Sequence, residues 1–220
     1  MNQRLERLLL GDWGPIVRDP IDLVRLNFLL GAGVFAVTGD VTTALRLALS
    51  FALVVVARFL DLPRPFDLGL NLGIAISVWG GPLGLFHEIG WYDEFLHAFF
   101  SFFSAPLFYI LGVRLNVLPD LDDDVPQRHR YVGILIVSSS LGFSFGALFE
   151  IWEWVANNWF GANNMIGYGD TIADLAEDAL ASLAGGAMLL GWAEYGWGTS
   201  RRVPGLGREA SRSSASAAAS

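Results

Sequence analysis

The sequence predicts an all-α fold: a polytopic membrane helical bundle of about six transmembrane helices, with both termini cytoplasmic. Three observations carry this. The 220 residues are 53% hydrophobic and only 16% charged, with a mean hydropathy of +0.46, whereas a soluble domain carries about 25% charged residues. The apolar residues fall in blocks of the length that crosses a bilayer, about 20 residues each. The arginines between those blocks occupy alternate connections only, which is the positive-inside pattern.

The spans follow in order. The first, about 22–38, starts after Pro20 and stops at Gly39 and Asp40. The second, about 42–60, stops at Leu62-Pro63-Arg64-Pro65. The third, about 68–86, runs into His87-Glu88-Ile89-Gly90. The fourth, about 94–113, precedes an acidic loop holding Asp120, Asp122, Asp123, Asp124 and Pro126. The fifth, about 131–155, meets a polar stretch from Asn157 to Gly169, and the sixth spans about 179–197. Each boundary is a cluster of turn formers. Residues 1–20 are expected as a cytoplasmic N-terminal segment, 21–198 as the transmembrane domain, and the Arg/Ser/Ala-rich 199–220 as a disordered cytoplasmic tail.

Arginine placement sets the orientation. Arg4, Arg7 and Arg18 precede the first span, Arg58 and Arg64 flank the second connection, Arg114, Arg128 and Arg130 the fourth, and Arg201, Arg202, Arg208 and Arg212 follow the last span. The first, third and fifth connections have none. Arg25 and Arg46 fall inside spans. Arg25 is close enough to the cytoplasmic end to snorkel. Arg46, near the outer end of the second span, either reaches the interface or pairs with an outer carboxylate.

Composition excludes several classes. No cysteine is present, so disulfides, thiolate metal sites and cysteine nucleophiles are ruled out. All 14 basic residues are arginine, the net charge is −8 and the pI about 4.7. A basic surface for nucleic acid is missing, so no nucleic-acid partner is expected. Residues 1–20, with Asp12, Asp19 and two prolines, do not read as a cleavable signal peptide. The expected location is the plasma membrane, multi-pass, and the acidic, lysine-free composition suits a halophilic archaeon.

Ionisable residues concentrate on the predicted outer side. Asp93 and His97 are four apart at the start of the fourth span, and Glu150 and Glu153 are three apart at the end of the fifth. Asp170 and Asp174 precede the sixth, followed by Glu177 and Asp178. Three- and four-residue spacings put each set on one helix face. Ionisable groups at membrane depth are costly and face a bundle interior or a wet cavity. Between Arg64 and Arg114, and between Arg130 and Arg201, no arginine is available to balance them. His97, Glu150, Glu153, Asp170, Asp174 and Asp93 are therefore candidate ligands for a divalent metal, Zn²⁺, Mn²⁺ or Mg²⁺, or for another cation.

Plainer explanations exist for most of them. Asp170 and Asp93 are natural helix N-caps, and Asp174 suits a first helical turn. His97 could bond Glu150 or Asp93 across the bundle. Glu150 and Glu153 resist such accounts, because negative charge near a helix C-terminus opposes the dipole. Trp91, Tyr92, Trp152, Trp154 and Trp159 form an expected outer aromatic belt. Gly142 with Gly146, and Gly185 and Gly186 with Ala181 and Ser182, are close-packing positions. Ser138, Ser139, Ser140 and Ser144 could bond between helices.

Trp91-Tyr92-Asp93-x-x-x-His97, Glu150-x-x-Glu153 and Gly169-Asp170-Thr171-x-x-Asp174-Leu175, in this order and ahead of a small-residue helix, resemble the YjdF-type family of bacterial and archaeal membrane proteins. The likeness covers about residues 68–190; a more distant similarity is to VanZ-like proteins. It implies a helical membrane fold and supplies no mechanism. The chain departs from the family where Ser101 is followed by Phe102 rather than glycine.

Three functions remain open at this level. The first is binding or transport of a metal ion or cationic ligand, with a homo-oligomer expected because six helices are few for a transporter. The second is a structural or accessory subunit with the lipid bilayer as its main partner. The third is a metal-dependent membrane enzyme, against which stand the lack of an H-E-x-x-H motif and of outer basic residues for a phosphate.

Overall fold

In the computed structural model, residues 20–59, 62–119, 121, 129–160 and 167–195 are described. They form seven helices and no strand: α1 Pro20–Thr38, α2 Val41–Phe59, α3 Arg64–Gly80, α4 Leu85–Glu88, α5 Tyr92–Arg114, α6 Arg130–Phe160 and α7 Tyr168–Tyr195. Three carry segments long and apolar enough to cross a membrane, Val41–Arg58, Tyr92–Arg114 and Arg130–Trp159, and α1 adds a shorter apolar stretch, Leu23–Thr38. Leu30, Val37, Leu49, Ile136, Leu148 and Leu180 are all more than half exposed. Apolar surface of this extent marks a chain whose solvent is lipid. The expected helical membrane bundle is therefore the observed one.

The helices form two groups. α5, α6 and α7 pack on one another, α1 and α2 form a hairpin resting on α3, and α3 joins the groups through α5. Lipid tails are as apolar as leucine, so close approach rather than hydrophobic burial must hold helices together. A side chain at Gly146 would put its Cβ 2.0 Å from Asp178 Oδ2, and one at Gly185 would sit 2.0 Å from the carbonyl oxygen of Phe102. That carbonyl lies four residues before Pro106, which has no N–H to bond it. The proline thus leaves a backbone oxygen of α5 facing the bare backbone of α7.

Polar contacts tie α1 to α3. Arg25 pairs with Asp67 through its guanidinium, with 4% and 2% of these residues exposed. Trp79 Nε1 on α3 donates to Asn27 Oδ1 on α1 at 2.8 Å, and within α3 Asn71 Nδ2 donates to the Asp67 carbonyl at 2.7 Å. Arg25 does not snorkel as expected. Its partner lies 42 residues away on a helix that the hairpin folds against it. At the α1–α2 turn Gly39 has φ +91°, which favours glycine. Asp40 then caps α2, its Oδ1 accepting from the Thr43 amide at 3.0 Å.

Several boundaries differ from expectation. The last helix starts at Tyr168, eleven residues earlier than predicted from the apolar run, because the acids at 170, 174 and 178 recur at helical spacing toward the interior. Asp170 is then a first-turn residue and not the cap; the Thr171 amide bonds the Gly167 carbonyl at 2.9 Å. Asp93 is also within its helix, behind Trp91 at the N-cap. α3 stops at Gly80, before Pro82, and Leu85–Glu88 is a helical turn instead of a loop. α6 runs through Asn157 to Phe160. Ser138 and Ser144 bond carbonyls of their own helix, at 3.2 and 2.7 Å, not a neighbour's. The segment before residue 20, the acids 122–124, residues 161–166 and the tail from 199 lie outside the described residues.

Candidate metal centre

Antiparallel neighbours bring the start of α5, the end of α6 and the start of α7 to one end of the bundle. The one-turn spacings then aim Asp93 and His97, Glu150 and Glu153, and Asp174 and Asp178 into the same interior. His97, Glu150, Glu153, Asp174 and Asp178 are each at least nine-tenths buried, and Asp93 is half-buried. His97 Nε2 lies 3.3 Å from Glu150 Oε1 on α6, and Nδ1 lies 3.4 Å from Asp178 Oδ2 on α7. Ser101 donates its hydroxyl to Asp178 Oδ1 at 2.6 Å. The Ser101 carbonyl in turn accepts from Ser182 at 3.4 Å. Phe149 packs edge-on to the imidazole, with centroids 5.2 Å apart.

Two sets of three ligand atoms lie within 4.8 Å of one another: His97 with Glu150 and Asp174, and Asp93 with His97 and Glu153. Five of the six sequence candidates therefore meet. Asp170 stands outside both sets, at the start of α7. His97 Nε2, Glu150 Oε1 and Asp174 Oδ1 are buried and have no hydrogen-bond partner. The 3.3 Å approach of Nε2 to Oε1 is therefore not aligned as a hydrogen bond.

Asp178 and Ser101 were not among the sequence candidates. Asp178 shared a predicted face with Asp174, and its position one turn further into an Ala/Gly/Leu helix was the available signal. Its pairing with His97 depends on how α7 crosses α5, which no local pattern encodes. Of the expected aromatic belt, Trp91, Trp152, Trp154 and Trp159 are exposed, but Tyr92 turns inward and donates to the Ile76 carbonyl at 2.7 Å.

A cleft of about 660 Å³ adjoins the cluster, lined by residues of α2, α3, α5 and α6 and of the segment between α3 and α5. Asp93 and Glu153 line it on one side and Arg46 on the other, among Leu49, Leu53 and Trp152. Below His97, a space of only about 10 Å³ is lined by Ser101, Phe145, Gly146 and Asp178. That is about the least volume that admits one water.

Fold and site together define a helical membrane protein with a buried His/carboxylate cluster at one end of its bundle. The chain belongs to the family described as "Predicted membrane protein (DUF2238)", whose model matches residues 24–196. This agrees with the YjdF-type resemblance of the three motifs. No curated protein and no solved structure matches the chain.

Proposed function

We propose that this membrane protein binds a divalent metal ion through His97 Nε2, Glu150 Oε1 and Asp174 Oδ1. One observation carries the reading: His97, Glu150 and Asp174, on three helices, each bring a ligand atom within 4.8 Å of the others, and each has a buried polar atom without a hydrogen-bond partner. Leaving each unsatisfied in a dry interior costs roughly 1–3 kcal/mol, and more if charged. An ion answers all three at once. Metal–ligand bonds of about 2.0–2.2 Å place ligand atoms roughly 3–4 Å apart, so atoms already within 4.8 Å need only small side-chain rotations.

Charge supports the same reading. Asp93, Glu150, Glu153, Asp174 and Asp178 surround one imidazole, and none of the described arginines is paired within the cluster. Carboxylates crowded at membrane depth must take up protons or gather a cation. An imidazole with two carboxylates suits Zn²⁺ or Mn²⁺ better than Mg²⁺, which takes oxygen ligands. Asp178 would accept from Nδ1–H, fixing the tautomer that leaves Nε2 free to bind metal.

The alternating arginines support placing this end of the bundle on the outer side of the membrane. Elemental mass spectrometry of detergent-purified protein tests the proposal. About one Zn²⁺ or Mn²⁺ per chain is expected, lost in Glu150→Gln and Asp174→Asn. A chain that stays metal-free after loading with both ions would overturn the proposal and leave a purely structural cluster.

A further inference from the structure

We infer that the cleft between α2 and α6 is a binding site for a zwitterionic phospholipid, with the phosphate on Arg46 and a primary ammonium on Asp93 and Glu153. Arg46 lies five residues into the membrane-crossing segment Val41–Arg58. Among the described residues it makes no ion pair, and Asp40 at the turn feels its charge. An arginine in a span faces a cavity or an anionic partner. Arg46 does face a cavity, and its guanidinium matches phosphate in shape and donor geometry.

The opposite wall carries the other half of the recognition. Asp93 and Glu153 both line the cleft, from α5 and α6. Carboxylates accept hydrogen bonds only, and a primary ammonium offers three donors. An anionic lipid such as a phosphatidylglycerol would meet Arg46 but be repelled by the two acids. A choline headgroup would satisfy the charge but donate no hydrogen bond. A phosphate ester of ethanolamine satisfies both walls.

Beside His87, Ser50 and Ser77, the lining has an apolar part that suits a ligand with a tail. Leu49, Leu53 and Trp152 line the cleft and are 70%, 55% and 56% exposed. The cleft is therefore open sideways, toward lipid, along an apolar edge. From Arg46 to Leu53 is two helical turns, about 10 Å. A volume of about 660 Å³ holds a headgroup and the first part of its chains. α2 and α6 share no extensive packing that would close this gap.

This site uses Asp93 and Glu153, not the deeper His97–Glu150–Asp174 set, so it can be tested on EDTA-treated protein and its failure is separate from that of the metal reading. The experiment is native mass spectrometry of protein in mixed micelles with equimolar phosphatidylethanolamine, phosphatidylglycerol and phosphatidylcholine. Phosphatidylethanolamine should be retained roughly tenfold over either competitor, the scale of a hydrogen bond to a charged group. Arg46→Gln should abolish retention of all three while leaving metal content unchanged. Asp93→Asn/Glu153→Gln should erase the preference over phosphatidylglycerol. Equal or better retention of phosphatidylglycerol or phosphatidylcholine would overturn the proposal. So would a preference unchanged by Arg46→Gln, or soluble phosphoethanolamine binding as tightly as the lipid.

Discussion

Nδ1 of His97 lies 3.4 Å from Oδ2 of Asp178, across the contact between α5 and α7. Ser101 holds the same carboxylate from one turn along α5, at 2.6 Å. A carboxylate fixed on one ring nitrogen orients the other toward a metal, and losing it typically costs 10- to 100-fold in affinity. Asp178→Asn should therefore weaken Zn²⁺ binding by roughly that factor while the helical content is unchanged. Competition titration against a chelating dye, beside circular dichroism, reads both. Unchanged affinity would remove Asp178 from the account.

That carboxylate packs against the bare backbone of α6 at Gly146. A Cβ at this position would meet Asp178 Oδ2 at 2.0 Å, whereas one at Gly133 on the same helix meets nothing within 4 Å. Gly146→Ala should lower stability by about 1–3 kcal/mol, as overpacking does. Gly133→Ala should be neutral or raise stability by up to about 1 kcal/mol through helix propensity. Melting temperatures in one detergent compare them.

The Arg25–Asp67 pair offers a test of the α1–α3 contact. Removing one partner of a buried ion pair costs roughly 3–5 kcal/mol, because the other charge is stranded. Arg25→Met or Asp67→Leu alone should destabilise strongly, and the double variant should recover most of the loss. A double variant as unstable as the worse single would mean that the pair's hydrogen bonds, not its charges, hold the helices.

Asp40 supplies a pH dependence outside the spans. Hydrogen bonds from Thr43 hold its carboxyl below the ordinary value of 3.8, with Arg46 adding a smaller pull. A lowered folded value means that its contribution to stability is complete above about pH 5 and fades as the pH falls through the folded value. The stability gap between native protein and Asp40→Ala should be constant from pH 7 to pH 5 and shrink below pH 4. A gap that persists at pH 3 would show that the cap acts without its charge.

The membrane bundle and most of the cluster were legible because both depend on short-range pattern. Apolar runs of span length and alternating arginines disclose helices. His97, Glu150 and Glu153 stand out as ionisable groups in apolar surroundings. What escaped depends on helix crossing. Asp67 finds Arg25, and Asp178 finds His97, only once remote helices pack. The start of α7 was hidden because its acids read as an outer loop until their inward face is known. In the sequence Arg46 reads as an interfacial residue or as the partner of an outer carboxylate, and its place on a cleft that Asp93 and Glu153 also line follows from how α2 stands apart from α6.

X-ray absorption at the zinc edge of the loaded, purified protein tests whether His97, Glu150 and Asp174 hold one ion. A shell of one imidazole nitrogen with carboxylate oxygens at about 2.0–2.2 Å is expected, with loss of the imidazole signature in His97→Gln. An all-oxygen shell, or one that His97→Gln leaves unchanged, would contradict it.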